Sequence, residues 1–128
     1  PLTILDTHVW VWWRAAARRL SRSAAREIDR ASSIGISTMS IWELARLERA
    51  GRLQLDRGLE RWLAGALADD RIEVLSVTRD IALTGAAFAA RLRDPADQLI
   101  YATAVEHDAR LVSRDGAMRE LDSGRIVW

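Results

Sequence analysis

Three acidic residues follow, or lie close after, segments that resemble buried β-strands, and a fourth lies at the start of a late helical segment. Asp6 comes directly after an apolar run, and Glu43 lies in the helical segment after the second such run. Asp97 falls in the first turn of a late helical segment, and Asp115 follows the fourth run. Ligand sites of open α/β sheets form beyond the carboxyl ends of the strands. We therefore expect these four carboxylates to meet at one edge of a sheet.

Clustered carboxylates of this kind predict a site for a hard cation. The sequence has no cysteine and only two histidines, of which His8 is the one near the acids. A zinc site built from sulfur and nitrogen would be hard to assemble from this inventory, whereas oxygen ligands suit Mg²⁺ or Mn²⁺. Such an ion can lower the pKa of a bound water and polarise a phosphodiester, so the pattern favours metal-assisted phosphoryl hydrolysis.

Asp6 and Glu43 also have purely structural interpretations. Asp6 could cap the helix that begins near Thr7, and Glu43 could be the acidic partner of a capping box begun by Ser40. The neighbours of Glu43 are mostly apolar, however, and a carboxylate in such surroundings requires compensation. A bound cation would provide it.

The local sequence around the later acids allows both structural and functional interpretations. Asp94 precedes Pro95, which is typical of a helix N-cap, so we interpret it as a cap and not a ligand. Asp97 would gain from the helix dipole whatever else it does. Asp115, followed by Gly116, has the local pattern of an ordinary turn.

The basic residues exclude several classes of α/β protein. All 19 are arginine, so phospho-accepting receivers and haloacid-type phosphatases, which rely on a lysine, do not fit. Dinucleotide binding does not fit either, because no glycine-rich loop follows the first strand. The formal net charge is only +1, yet arginine can grip phosphate oxygens in a bidentate manner wherever it clusters.

The predicted elements alternate between strands and helices. This order predicts an α/β fold with a mainly parallel five-stranded sheet between two helical layers, in one domain over residues 1–128. No apolar run approaches the length of a membrane span and no signal-peptide pattern opens the sequence, so we expect a soluble, cytoplasmic protein. The predicted strands are 2–5, 34–37, 72–75, 111–113 and 126–127, and the predicted helices are roughly 8–14, 21–32, 39–50, 58–69, 78–91 and 96–107.

The sequence as a whole resembles the PIN-domain family, and specifically the VapC-like toxins of bacterial type II toxin–antitoxin systems. The resemblance extends over essentially the full length, and its motifs are specific only in combination. They are ILDTHVWVWW at 4–13, STMSIWELARLERAGRLQL at 37–55, RDPADQLIYATA at 93–104, LVSRD at 111–115 and RIVW at 125–128.

This resemblance implies roles for individual residues. The four acids of the family fall on Asp6, Glu43, Asp97 and Asp115, with Asp6, Asp97 and Asp115 as metal ligands. Thr7 and Ser113 lie where the family often supplies a hydroxyl. Gln98 departs from the pattern, because arginine is usual there, and this could alter substrate contacts.

The family also implies an α/β/α sandwich, Mg²⁺ or Mn²⁺, and endonucleolytic cleavage of RNA. A homodimer and a VapB-like antitoxin that occludes the site are the implied partners. The leading hypothesis is therefore a ribonuclease toxin. The alternative is a catalytically idle PIN-like module that only binds an antitoxin or RNA.

Arginines and tryptophans are concentrated near the first predicted helix. The stretch 14–30 is the most basic of the chain and could either contact RNA phosphates or form a solvated helix face. For the tryptophans at 10, 12 and 13 we favour packing in the core or at an interface over base stacking. The arginines that we consider for RNA contacts are Arg14, Arg18, Arg19 and Arg22.

Overall fold

A five-stranded sheet forms the centre of the protein. The computed structural model describes residues 1–55 and 57–128. The strands are β1 (Leu2–Leu5), β2 (Ser33–Ser37), β3 (Ile72–Leu75), β4 (Arg110–Val112) and β5 (Ile126–Val127). They lie in the order β3-β2-β1-β4-β5, and every neighbouring pair is parallel.

Seven α-helices connect and cover these strands within the described residues. They are α1 (Thr7–Ala15), α2 (Arg22–Arg30), α3 (Thr38–Arg49), α4 (Leu59–Ala66), α5 (Arg79–Ala87), α6 (Pro95–Glu106) and α7 (Gly116–Leu121), and a short 3-10 turn spans Ala17–Arg19.

The sheet carries a separate apolar core on each face because adjacent strand residues point to opposite sides. Leu5 and Val112 pack with the side chains of α1 to α4, including the fully buried Trp10. Ile4 and Leu111 pack on the other face with α6 and α7. The predicted three-layer α/β/α sandwich with a parallel five-stranded sheet is confirmed.

Trp10 shows how one of the tryptophans is used. Its indole N–H donates to the carbonyl oxygen of Ala66 at 3.2 Å, and its ring meets Trp62 edge to face with centroids 5.2 Å apart. The prediction of core packing is right for Trp10. Trp12 and Trp13 are only half-buried.

Three sequence predictions of local structure were wrong. The capping box that Ser40 could begin does not form: α3 begins at Thr38, one residue before the predicted start at 39, because the Ser37 hydroxyl accepts from the backbone N–H of Met39. The pattern at 115–116 predicted only a turn, yet α7 begins there. The predicted helix 78–91 ends at Ala87 in the structure.

Candidate active site

The strand order changes direction between β1 and β4, and the carboxyl ends of these two strands carry the first candidate residues. The backbone N–H of Asp6 donates to the carbonyl oxygen of Val112, which fixes the end of β1 beside β4. Asp6 is 3% exposed and Ser113 is fully buried. This is the topological switch point at which parallel α/β sheets form ligand sites.

Hydrogen bonds hold Asp6 in a single orientation. One carboxylate oxygen accepts from the backbone N–H of Thr7 at 2.8 Å, so Asp6 is the N-cap of α1. The other accepts from the hydroxyl of Ser113 at 2.6 Å, and His8 Nδ1 lies 3.6 Å from the same oxygen. The capping interpretation of Asp6 is therefore correct, and it coexists with a position at the mouth of the switch point.

A cavity of about 250 Å³ opens beside Asp6 and brings three of the four predicted acids together. Its polar wall contains Asp6, Glu43 and Asp97, and apolar side chains of α1 and α3 form much of the remainder. The other lining residues are Thr7, His8, Val11, Trp12, Leu44, Leu47 and Leu53.

Glu43 projects from the second turn of α3 toward this cavity. Since the helix is capped by Ser37 instead of Ser40, Glu43 is not part of a capping box, and that structural alternative is wrong. Ser40 lies one turn earlier, is fully buried and accepts a hydrogen bond from the Thr7 hydroxyl at 2.8 Å. The spacing of three residues between Ser40 and Glu43, which also fits a capping box, places both on one face of α3 and is the sequence signal for a role of Ser40 near the site.

Asp97 lies in the first turn of α6, behind the cap formed by Asp94. The Asp94 carboxylate accepts from the backbone N–H of Ala96 at 2.8 Å, as predicted. Gln98 donates its amide to the carbonyl oxygen of Leu92 at 2.6 Å. Gln98, the residue that departs from the family pattern, therefore fixes the position of the segment that precedes α6.

Asp115 does not line the cavity. One of its oxygens caps α7 by accepting from the backbone N–H of Met118 at 2.9 Å, and its own N–H donates to the Ser113 hydroxyl at 3.0 Å. Ser113 thus links the peptide of Asp115 to the carboxylate of Asp6. Asp115 is nevertheless close enough for its charge to raise the pKa of both Asp6 and Asp97.

The acids raise one another's pKa. Burial, followed by repulsion from Asp6, Asp94, Asp115 and Glu43, raises the pKa of Asp97 to about 8. Burial is also the main cause that raises the pKa of Asp6 and of Glu43, against opposing effects of His8 on Asp6 and of the Thr7 hydroxyl on Glu43.

Within the described residues, no arginine forms an ion pair with Glu43, Asp97 or Asp115. Nor is any group of three or more histidine, aspartate and glutamate side chains in this part of the chain arranged to hold a metal ion as it stands. The donor set is nevertheless suitable for a hard cation, because Mg²⁺ usually takes only one or two direct carboxylates and keeps several waters. The uncompensated negative charge also favours a cation over any neutral ligand.

The arginines considered for RNA contacts do not form one group. Arg14 donates to the carbonyl oxygen of Gly65 at 3.3 Å and lies over Trp13, away from the acids. Arg19 lies over the ring of Trp12, with 4.6 Å between the guanidinium carbon and the ring centroid, so it is beside the cavity. Arg18 and Arg22 are exposed.

Comparison with known proteins identifies the fold and its relatives. The model of the PIN domain family matches residues 3–124. Ribonuclease VapC22 of Mycobacterium tuberculosis is 39% identical over 128 residues, with 98% of this chain and 97% of that protein covered.

Two solved structures share the fold at low sequence identity. VapBC2 from Rickettsia felis, bound to a DNA fragment from its promoter, superimposes with a TM-score of 0.71 at 16% identity, covering 98% of this chain and 97% of that one. VapBC-5 from Mycobacterium tuberculosis, a member of the VapBC family of toxin–antitoxin systems, gives 0.62 at 18% identity, covering 98% and 94%. None of the helices that the structure describes is long and apolar enough to cross a membrane.

Proposed function

The chain belongs to the PIN-domain family, and we propose on this basis that it is a divalent-metal-dependent endoribonuclease, the toxin of a toxin–antitoxin pair. The observation that carries the proposal is the cavity at the switch point, which brings Asp6, Glu43 and Asp97 together, with His8 beside Asp6 and no arginine paired with Glu43 or Asp97 among the described residues. Full-length similarity to a protein named as a ribonuclease supports RNA as the substrate.

We propose Mg²⁺ or Mn²⁺ as the cofactor, held by Asp6, Asp97 and Asp115 directly or through waters. When bound, such an ion lowers the pKa of a water and stabilises negative charge on a phosphodiester. The oxygen-rich, sulfur-free donor set supports this choice.

Glu43 is the candidate general base for the attacking water. Its pKa is raised by burial, and a carboxylate is a more effective proton acceptor at neutral pH when its pKa lies closer to the working pH. The Thr7 hydroxyl, which also bonds to Ser40, lies beside Glu43 and helps to orient it.

Asp97 links metal binding to proton release. With a pKa of about 8 it holds a proton at neutral pH in the metal-free protein, so a cation held by this carboxylate would displace that proton. Metal affinity should therefore rise with pH up to about 8. Ser113 keeps one oxygen of Asp6 oriented by its 2.6 Å hydrogen bond.

The proposal also includes partners and location. The relatives described as VapBC toxin–antitoxin systems support a VapB-like antitoxin as the partner. We propose a homodimer as the working form. Cellular RNA as the substrate supports a cytoplasmic location. All strands belong to one sheet, which supports a single domain over residues 1–128.

The direct test is cleavage of a structured RNA by the purified protein with and without Mg²⁺ or Mn²⁺. We expect cleavage that EDTA stops, that D97N and E43Q abolish, and that D94N retains. D94N is the matched control because it neutralises a neighbouring exposed acid, and asparagine caps a helix as well as aspartate does. Binding of an antitoxin without RNA cleavage or metal binding in calorimetry would instead identify the chain as an idle PIN-like module.

A further inference from the structure

A second groove, of about 320 Å³, lies between α2 and β5. One wall is a face of α2, the other is β5, and Arg110 at the start of β4 completes it. β5 is at the edge of the sheet, so this groove is open to solvent along the strand. The residues that line it are Ser23, Arg26, Glu27, Arg30, Arg110, Ile126, Val127 and Trp128.

The residues described as lining this groove carry more positive than negative charge. Glu27, its one acid, accepts hydrogen bonds from Arg110 at 2.7 Å and from Thr3 at 3.2 Å, and is therefore already paired. Arg26 and Arg30 are exposed and have no acidic partner in the part of the chain that the structure describes. They lie four residues apart, about 6 Å along the helix axis, on one face of α2. Arg22 continues the same row by another turn.

An aromatic pair connects this groove to the acidic cavity. Trp128 lines the groove, and Trp12 lines the cavity that contains Asp6 and Asp97. The centroids of the two indole rings are 5.8 Å apart. Arg19, over the face of Trp12, adds a further positive charge at this junction. The cavity that holds the carboxylates and the groove that holds the arginine row therefore meet at this pair of rings.

We propose that the groove between α2 and β5, with Arg26 and Arg30 as its phosphate contacts, binds the single-stranded RNA that flanks the scissile phosphodiester. This inference rests on the proposed ribonuclease function and adds the path of the substrate. Trp128 and Trp12 supply apolar ring surface between the two sites, of the kind on which nucleobases stack.

The electrostatics of the molecule favour RNA as the occupant. The formal net charge is only +1, and the acids at the cavity repel a polyanion, so affinity for RNA must come from a local concentration of positive charge. Unpaired arginines on one helix face fit this requirement because a guanidinium binds phosphate oxygens in a bidentate manner. An acidic segment of a protein partner is the competing occupant, and the experiment distinguishes the two.

The test is the salt dependence of binding of a fluorescent single-stranded RNA in EDTA, measured by anisotropy for the wild type and for R26Q/R30Q. Each lost phosphate contact lowers the slope of log affinity against log salt by about 0.7 for a single strand. The double variant should therefore lose about 1.4 from the slope, which corresponds to roughly 25-fold weaker binding at 0.1 M salt if the curves meet near 1 M. With metal present, KM should rise while kcat stays unchanged.

The matched control is R79Q/R91Q, which removes the same charge from exposed positions in and just after α5, a helix that packs on α6 on the other face of the sheet. It should bind RNA with the wild-type slope. Equal melting temperatures of the two double variants establish that both are folded.

An unchanged slope and affinity in R26Q/R30Q would overturn the proposal. So would a variant that keeps its RNA affinity but loses affinity for the purified antitoxin, because the groove would then be a protein-binding surface. Binding in EDTA does not require catalysis. Weakened RNA binding by R26Q/R30Q in a protein that never cleaves RNA would therefore support the groove and refute only the proposed function.

Discussion

Replacement of Asp97 by asparagine should make the metal-free protein more stable while it abolishes activity. The pKa of Asp97 is raised from 3.8 in its reference state to about 8 in the folded protein. A carboxyl group whose pKa rises on folding favours the folded state fully below about pH 3.8, and this contribution is lost as the pH rises toward 8. Asparagine has nearly the same shape and no charge to lose.

The size of the stability gain in D97N follows from the same pKa of Asp97. At pH 7.5 the raised pKa corresponds to about 4–5 kcal/mol of destabilisation at 1.36 kcal/mol per pH unit. Asp97 is partly accessible to water, which screens its charge, so we expect about 1–2 kcal/mol. For a chain of this length, this gain raises the melting temperature by roughly 3–8 °C.

The assay is thermal unfolding of the wild type and D97N in EDTA between pH 4 and pH 8.5. The difference in melting temperature should be near zero at pH 4 and grow up to about pH 8. Mg²⁺ should raise the melting temperature of the wild type and have little effect on D97N, and RNA cleavage by D97N should fall by at least about 100-fold. An equal difference at every pH, or a less stable variant at pH 7.5, would refute the reasoning.

Three further substitutions test other parts of the structure. S113A removes the 2.6 Å hydrogen bond to Asp6, so it should destabilise the fold by about 1–3 kcal/mol and move the pH profile of cleavage to higher pH, with S76A as the exposed control. W10F removes the bond to Ala66 and leaves a small cavity, and it should lower the free energy of unfolding in urea by about 2 kcal/mol while kcat of the folded protein is unchanged. G35A places a Cβ 2.7 Å from Leu75 Cδ1 and 3.0 Å from Ile4 Cγ1, so urea unfolding should show a loss of about 1–3 kcal/mol; an unchanged midpoint would mean that the side chains of Leu75 and Ile4 shift aside at little cost.

The sheet was predictable because most of its strands coincide with short apolar runs in the sequence. Runs such as Leu2–Leu5 and 34–36 are mostly apolar, which is typical of parallel strands covered on both faces. The helical cap at Asp94 was also predicted correctly, since this residue has the type and spacing of a side chain that accepts from a backbone N–H.

Helix starts were missed where two candidate caps lie close together. Ser37 and Ser40 both precede the apolar stretch of α3, and only the end of β2 at Ser37 decides which one is the cap. Asp115 followed by Gly116 has the composition of a turn, and α7 forms there because Met118 is buried in the core behind it. The N-cap of α3 and the start of α7 both depend on tertiary packing, which the local sequence does not determine.

The approach of Asp6, Glu43 and Asp97 was predictable from the strands that precede Asp6 and Glu43 and from the place of Asp97 at the start of a late helix, but the details of the site were not. The chain of bonds from Asp6 through Ser113 to Asp115 and the pairing of Thr7 with Ser40 join residues far apart in the sequence. The groove beside α2 likewise depends on β5 lying at the sheet edge. The spacing of the arginines in the sequence does not show whether they line a groove or lie on a solvated helix face.

The central claim, hydrolysis of RNA by a water held among these carboxylates, is tested most directly by the chemistry of the RNA ends. A substrate with a single 2′-deoxy nucleotide at the cleaved position should be cut at the same rate as the all-ribose RNA in Mg²⁺ or Mn²⁺, and mass spectrometry of the products should show no 2′,3′-cyclic phosphate. Loss of cleavage of the deoxy-substituted RNA, or cyclic phosphate ends, would mean that the 2′-hydroxyl attacks instead of water. That result would contradict the account.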